Sequence, residues 1–479
     1  MFQKYILDKK REIIGSICDL VSFPSISNEY ENNNFPFGKA CNDCLKYFLN
    51  LSSSLGFKTK NVDGYCGWAE FGQGDELIGI VGHLDVVPAK DEDWSSNPFI
   101  ATIANHCIYG RGVIDDKGPV IACLYAMKSV MDYMNENNIT FNKRVRLIVG
   151  LNEEKDWKCI DYYKKYEEIP SIGFSPDSNF PCIYAEKSVL SLNMSQNLSD
   201  INVITKNKFS SNSPAISIID IDTDNNAINV VPRFCSFILK VQNKNYMENL
   251  IKTCKSIINK YKYDIYLYKI DDLTLKLSSY GTASHSAHPE LGNNAISKLI
   301  LMINELFNSW NICFPMFKDF CNYIGDDYTG KNLNIDIKDE SGILTLNTSQ
   351  IYIKDNKIYI SINLRIPIHT NPNKIIEIFK KYFNYDINVI KVQPSLYVDK
   401  NSDLVKNLTS VFNKVCSSNV EPIAIGGATY ARAFDNFVCF GMIFPGDKDM
   451  CHQVDEYIEI DKLLLSTNIY ANAIYKLLL

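Results

Sequence analysis

Long hydrophobic runs are missing from this chain. The longest largely apolar stretches, such as 145–151, are strand-sized, and none approaches the ~20 residues that a membrane-spanning helix needs. The N-terminal stretch MFQKYILDKKREIIGSICDLV carries a charge every few residues, so it predicts an amphipathic helix and not a signal peptide. An excess of positive charge is also lacking. With 49 basic against 55 acidic side chains, the net charge of −6 excludes a nucleic-acid protein that works through a basic face. There is no low-complexity tract and no short tandem repeat of solenoid type. Histidine is scarce, at six residues. Only one C-x-x-C occurs, Cys41 to Cys44, with no second pair at zinc-ribbon spacing, which argues against structural zinc. The fifteen cysteines are scattered among apolar neighbours, the pattern of reduced, buried thiols, and the protein is expected to be soluble and cytoplasmic.

What is present is a globular composition, 46% hydrophobic and 22% charged, in a chain of 479 residues, long enough for two or three domains. The first third alternates helical candidates (Lys9 to Val21, Lys39 to Leu55, Pro119 to Met134) with short strands (Leu77 to Val81, Arg144 to Leu151, Ile172 to Ser175), which predicts an α/β sheet covered by helices. From about Glu186 to Lys391 the pattern becomes polar strands and hairpins with two helices, near Met247 to Tyr261 and Asn294 to Phe307. In the clearest hairpin, QIYI and KIYISINLRI flank a Lys-Asp-Asn-Lys turn. The α/β pattern then resumes with a helix at Leu404 to Cys416, a Gly-Gly turn at Gly426 and Gly427, a strand at Phe437 to Phe444 and a last helix from Asp461. The expected plan is an α/β catalytic domain in two pieces, 1–186 and 392–479, with an α+β domain, 187–391, inserted between them.

Acidic and histidine motifs follow the predicted strands. Leu77 to Val81 leads into His83 and Asp85, Arg146 to Leu151 into Asn152-Glu153-Glu154, Ile172 to Pro176 into Asp177, and Phe437 to Pro445 into a loop ending at His452. A fifth motif, with Asp115-Asp116, opens the helix at Pro119. Ligands of open α/β sheets bind beyond the carboxyl ends of the strands, so these side chains are candidates to converge. Two histidines with several carboxylates suit zinc, and also manganese or cobalt. Taken singly each motif is ambiguous: Asp115-Asp116 could cap a helix and Glu153-Glu154 could be a solvated turn.

The runs GHLDVVPA, YGRGVIDDKGP, NEEKDWKC, GFSPDSNFP, GTASHSAHPELGNNA, GGATYAR and the final DMCH, in this order, resemble the co-catalytic zinc dipeptidases, aminoacylases and desuccinylases, and among them the PepV-type bacterial dipeptidases. The resemblance implies a zinc-exopeptidase-like catalytic domain, a mixed sheet flanked by helices, with an inserted lid. It implies two zinc ions, one held by His83 and Asp177 and the other by Glu154 and His452, with Asp115 bridging and the Asp115–Asp116 peptide cis. Glu153 would be the general base for a hydroxide bridging the ions, and the Asp85 carboxylate would accept the second ring N–H of His83. From the lid, His285 would stabilise the oxyanion, and Asn229, Arg365, Gly427 and Ala428 would contact substrate. The implied activity is hydrolysis of unblocked dipeptides by a monomer whose long lid closes a single chain on itself. The alternatives are deacylation of N-acyl amino acids or succinyl-diaminopimelate and, in another class, a non-catalytic binding protein on the same scaffold. Four positions depart from the family pattern: Asn152 and Asn363 stand where Asp is usual, Ala-Ser-His replaces Ser-Ala-His at 283–285, and Ala428 replaces Gly. The remaining histidines, His106, His288 and His369, are read as ordinary surface or neighbouring residues.

Overall fold

The computed structural model describes residues 1–28, 35–205, 208–210, 216–224 and 227–479. The chain forms two compact units. One comprises Met1–Ala185, Leu396–Ile423 and Thr429–Leu479, and the other Glu186–Ser395 and Ala424–Ala428.

The first unit is built on a mixed sheet. Four neighbouring parallel strands, Lys143–Gly150, Glu76–His83, Ile172–Ser175 and Phe437–Cys439, form its middle. Antiparallel strands flank them: Cys66–Gly72 and Lys58–Val62 on one side, Ile183–Glu186 on the other. Leu77, Ile78, Ile80 and Val81 are all buried although successive residues face opposite sides of the sheet. Such two-sided burial is what helices on both faces of a parallel sheet require. Those helices include Lys10–Val21, Lys39–Ser54, Lys117–Glu136, Asp403–Cys416 and Ile460–Leu478. The α/β architecture expected from the alternating segments is therefore present. The expected strand from Phe437 to Phe444, however, stops at Cys439. Beyond it the Met442 and Ile443 N–H groups both donate to the Ser178 carbonyl, at 2.7 and 3.1 Å, and the Phe180 N–H donates to Ile443 at 2.8 Å. The chain has left the sheet and pairs with the loop that carries Asp177.

The second unit is α+β. One antiparallel sheet has the order Ile216–Asp222, Phe234–Val241, Thr274–Tyr280, Ile265–Lys269, and another the order Thr345–Lys354, Lys357–Ile366, Ser188–Asn197, Asp386–Gln393. Helices Lys244–Tyr261, Ala295–Ser309 and Pro372–Tyr382 share a core with them. The predicted hairpin closes at Lys354 and Lys357. Its turn residues Asp355 and Asn356 have φ of 49° and 56°, the left-handed geometry that two-residue hairpins favour.

The division differs from the expected one at three places, the first being Glu186, which belongs to the second unit. The second unit runs on to Ser395 because Asp386–Gln393 pairs along Ser188–Asn197 past the expected end at 391. It also takes residues 424–428 from the segment expected to be catalytic. Main-chain and guanidinium hydrogen bonds explain this: Lys187 N–H donates to Ile425 at 3.0 Å, and Arg365 Nη1 donates to the Gly426 carbonyl at 2.8 Å.

Candidate metal centre

Four parallel strands ending at one edge explain how residues far apart in sequence meet. His83 ends its strand, Glu153 and Glu154 follow Gly150, and Asp177 follows Ser175. His452 comes from the loop after Cys439, in the left-handed region with φ of 63°. Ordinary residues rarely adopt that conformation, and such positions cluster at functional sites.

Asp115 lies between the two imidazoles. Its Oδ1 is 3.0 Å from His83 Nε2, and its Oδ2 is 3.0 Å from His452 Nε2. Asp177 Oδ2 is 3.7 Å from His83 Nε2, and Glu154 Oε1 is 3.0 Å from His452 Nε2. One donor atom from each of His83, Asp115 and Glu154 lies within 4.8 Å of the others. The five side chains expected as ligands are thus gathered in the first unit. The Asp115–Asp116 peptide is cis.

Whether this set fits a metal can be judged from His83. Its ring is fully buried, and its Nδ1 is 2.9 Å from the Asp85 main-chain carbonyl, so the proton belongs on Nδ1. Nε2 then carries a lone pair. That atom is buried without a hydrogen-bond partner, yet it faces two carboxylate oxygens. A divalent cation satisfies all three.

The electrostatics agree. Burial pushes the Glu153 carboxyl well above the usual range, and pushes Asp177 up and Glu154 to about 7. Burial alone would lower both imidazoles. Contacts with Asp115, Asp177 and Asp85 outweigh it at His83, and contacts with Asp115 and Glu154 raise His452 to about 11. Against its own burial, Asp115 is lowered by His452 and His83. The cluster therefore demands positive charge at its centre, as protons on the rings or as bound cations that displace them.

The structure alters the reading of Asp85. Its carboxylate does not take the His83 hydrogen bond; it stands 3.5 Å from Nδ1 while the Asp85 carbonyl accepts. Instead Oδ1 accepts the Glu153 N–H at 3.0 Å and Oδ2 the Glu154 N–H at 3.1 Å. Asp85 orients the Glu153-Glu154 peptide. Asn152, where Asp is usual, bonds Ser27 Oγ through Nδ2 at 2.8 Å and accepts the Lys158 N–H at 3.1 Å, which closes the following loop.

Other contributors had no assigned role. Asp116 stands at the N-cap position of Lys117–Glu136 without capping it. Its Oδ2 accepts the His83 N–H at 3.0 Å, and a Cβ on Gly82 would lie 2.3 Å from that oxygen, so only glycine fits there. Tyr430, within the GGATYAR run, is fully buried and presents its ring edge-on to His83 with centroids 6.1 Å apart. Glu456 accepts the N–H groups of Ile114 and Asp115 through Oε1. Asp116 and Tyr430 sit inside motifs already singled out; Glu456 has no such signal.

The other candidates lie in the second unit. Val230 and His285 form an antiparallel bridge, and the Ser286 N–H donates to the Asn229 carbonyl at 2.8 Å, so Asn229 and His285 are neighbours. His285 Nδ1 accepts the Ala287 N–H at 3.2 Å, which puts the neutral ring's proton on Nε2. Thr345, the cross-strand partner of Arg365, bonds the Ser286 carbonyl at 3.0 Å. Gly427 and Ala428 directly follow the Gly426 carbonyl that accepts from Arg365. Asn363 accepts from Arg365 Nε at 3.2 Å; being neutral, it does not itself offset the guanidinium charge. His288 and His369 are exposed beside Glu290 and Glu340, and in the second His–carboxylate cluster, Asp339, Glu340 and His369, the half-buried Asp339 already accepts from the Ser341 and His369 N–H groups.

Comparison with known proteins settles the family. A model of Peptidase family M20/M25/M40 matches residues 79–476. The chain belongs to this family. "Putative dipeptidase YtjP" of Bacillus subtilis (strain 168) is 35% identical over 478 residues, covering 98% of each chain. A "Putative dipeptidase" of Staphylococcus epidermidis (strain ATCC 12228 / FDA PCI 1200) is 33% identical over 484 residues, covering 100% of this chain and 99% of the relative. The fold is shared with the dipeptidase Dug1p of Saccharomyces cerevisiae, at a TM-score of 0.57 and 14% identity over 99% of this chain and 97% of that one. It is also shared with human carnosine dipeptidase 1, at 0.56 and 13% over 100% and 98%.

In Asp85→Asn the new amide must turn its N–H groups toward the N–H of Glu153 or of Glu154. We expect kcat to fall about 10–100-fold, the usual cost of losing a partner behind a metal site, with an unchanged far-UV circular dichroism spectrum. Wild-type turnover in steady-state assays would show that the peptide needs no such anchor.

Proposed function

We propose that this M20-family enzyme hydrolyses the peptide bond of unblocked dipeptides in a metal-dependent reaction. The observation that carries the reading is Asp115, with one oxygen toward each imidazole, together with the half-buried Glu153, whose carboxyl desolvation pushes well above its usual range. His83 and Asp177 would hold one ion, Glu154 and His452 a second, and Asp115 both; the nitrogen and oxygen donors suit zinc, with manganese or cobalt as substitutes. When bound, such ions polarise a carbonyl and make water acidic near neutral pH.

The chain's own residues supply the rest. Glu153 takes a proton from the attacking water and delivers it to the nitrogen of the breaking C–N bond. Burial, which raises its affinity for the proton, suits the second half of that task. Asp85 holds the Glu153 main chain in place. His285, with its proton on Nε2, is the donor for oxyanion charge. Arg365 grips the substrate's C-terminal carboxylate, and Asn229, Gly427 and Ala428 make further substrate contacts.

We read the protein as a cytoplasmic monomer. Among the described residues no helix is long and apolar enough to cross a membrane. No two of the fifteen cysteines are bridged, which supports a reducing compartment. Light scattering is expected to give the 54.5 kDa mass of one chain; a dimer mass overturns the monomer.

Glu153→Ala is expected to retain two equivalents of metal by elemental analysis while losing at least about 100-fold in kcat, the scale of general acid–base catalysis. The wild type, reloaded with zinc or manganese after depletion, should cleave free dipeptides in preference to N-acyl amino acids. Near-wild-type turnover by the variant removes Glu153 from the reaction, and cleavage of blocked amines alone removes the dipeptidase reading.

A further inference from the structure

Glu456 lies four residues beyond His452 and is fully buried. Its carboxylate faces the loop that presents Asp115. Oε2 accepts from Arg111 Nη1 at 2.7 Å and from the Gly112 N–H at 3.0 Å. Oε1 accepts the N–H of Ile114 at 2.8 Å, of Gly112 at 3.1 Å and of Asp115 itself at 3.3 Å. The Glu456 carbonyl accepts the Gly110 N–H at 3.0 Å. Arg111 is in turn held against Trp94, its guanidinium carbon 5.0 Å from the ring centroid. Glycine is required within the loop: Gly112 has φ of 92°, and a Cβ there would lie 2.9 Å from Val86 Cγ1.

A buried ion pair alone contributes little net stability, because desolvation offsets the attraction. This carboxylate does more than pair with Arg111. It collects three main-chain N–H groups from the four residues that end at Asp115, and bonds from N–H to a carboxylate are the strong kind. The direction of the Asp115 side chain follows from the backbone so held. We infer that Glu456 is a positioning residue for the metal centre: it fixes the 111–115 loop so that Asp115 turns one oxygen to His83 and the other to His452. The loop that contributes His452 thereby also sets the carboxylate shared between both imidazoles. The inference rests on the metal-site reading above.

In Glu456→Gln the amide keeps one acceptor oxygen and turns N–H groups toward either Arg111 or the loop donors, so the loop loses part of its anchor. The test is a chelator competition for zinc together with the visible absorption spectrum of the cobalt-loaded protein. It uses the full chain as wild type, Glu456→Gln, Glu456→Asp and the control Arg144→Ala. Arg144 pairs with Glu168 at the start of the strand whose far end leads to Glu153. Its loss should lower the melting temperature without touching the metal. We expect Glu456→Gln to bind zinc about 10–100-fold more weakly with an altered cobalt spectrum, and Arg144→Ala to match the wild type in both. Wild-type affinity and spectrum in Glu456→Gln overturn the inference. If that variant does not fold, Glu456→Asp, which keeps the charge but is one methylene short, is judged by the same two readouts. A wild-type protein that takes up no metal overturns the metal-site reading and this inference with it, whereas wild-type uptake with an unchanged variant overturns this inference alone.

Discussion

Asp115 is the carboxylate on which the rest of the site depends. Its two oxygens stand 3.0 Å from two imidazole nitrogens that arrive from opposite ends of the sequence, at His83 and His452. So many acidic groups in one partly buried place repel one another, and burial makes that repulsion stronger. The arrangement persists only if positive charge occupies its middle. The surrounding structure aims lone pairs at that point. The Asp85 carbonyl fixes the His83 proton on Nδ1, which leaves Nε2 facing Asp115 and Asp177.

Main-chain hydrogen bonds hold the acidic residues in register. Two carboxylates that are not proposed ligands take N–H groups beside ones that are, Asp85 at Glu153 and Glu154 and Glu456 at Ile114 and Asp115, and the Asp116 carboxyl takes the N–H of His83. The pattern gives the acidic excess of the site a structural purpose. A carboxylate accepts from a main-chain N–H more strongly than a neutral group does, and its rigidity passes to the neighbouring ligand.

Much of this was legible before the fold was known. Apolar strands running into His83, Glu153-Glu154 and Asp177 implied convergence at the carboxyl ends of parallel strands, and the sheet brings those ends together. The hairpin around Asp355 and Asn356 was readable because its turn needs left-handed residues there. Other features depend on contacts that sequence patterns do not carry. The Asp85 carboxylate turns to the Glu153 and Glu154 N–H groups because the chain after Gly150 passes beside it. Glu456 looks like one more polar residue in a loop. The strand from Phe437 ends early because Ser178 offers its carbonyl to Met442 and Ile443, and residues 424–428 join the second unit through Lys187 and Arg365. In each case a long-range hydrogen bond decided the outcome.

Asp115 is proposed to join two metal ions in this chain. Anomalous diffraction at the zinc edge from crystals of zinc-loaded protein tests it most directly. Two peaks are expected, one at His83 and Asp177 and one at Glu154 and His452, with Asp115 bound to both. A single peak, or two peaks that do not share Asp115, would contradict it.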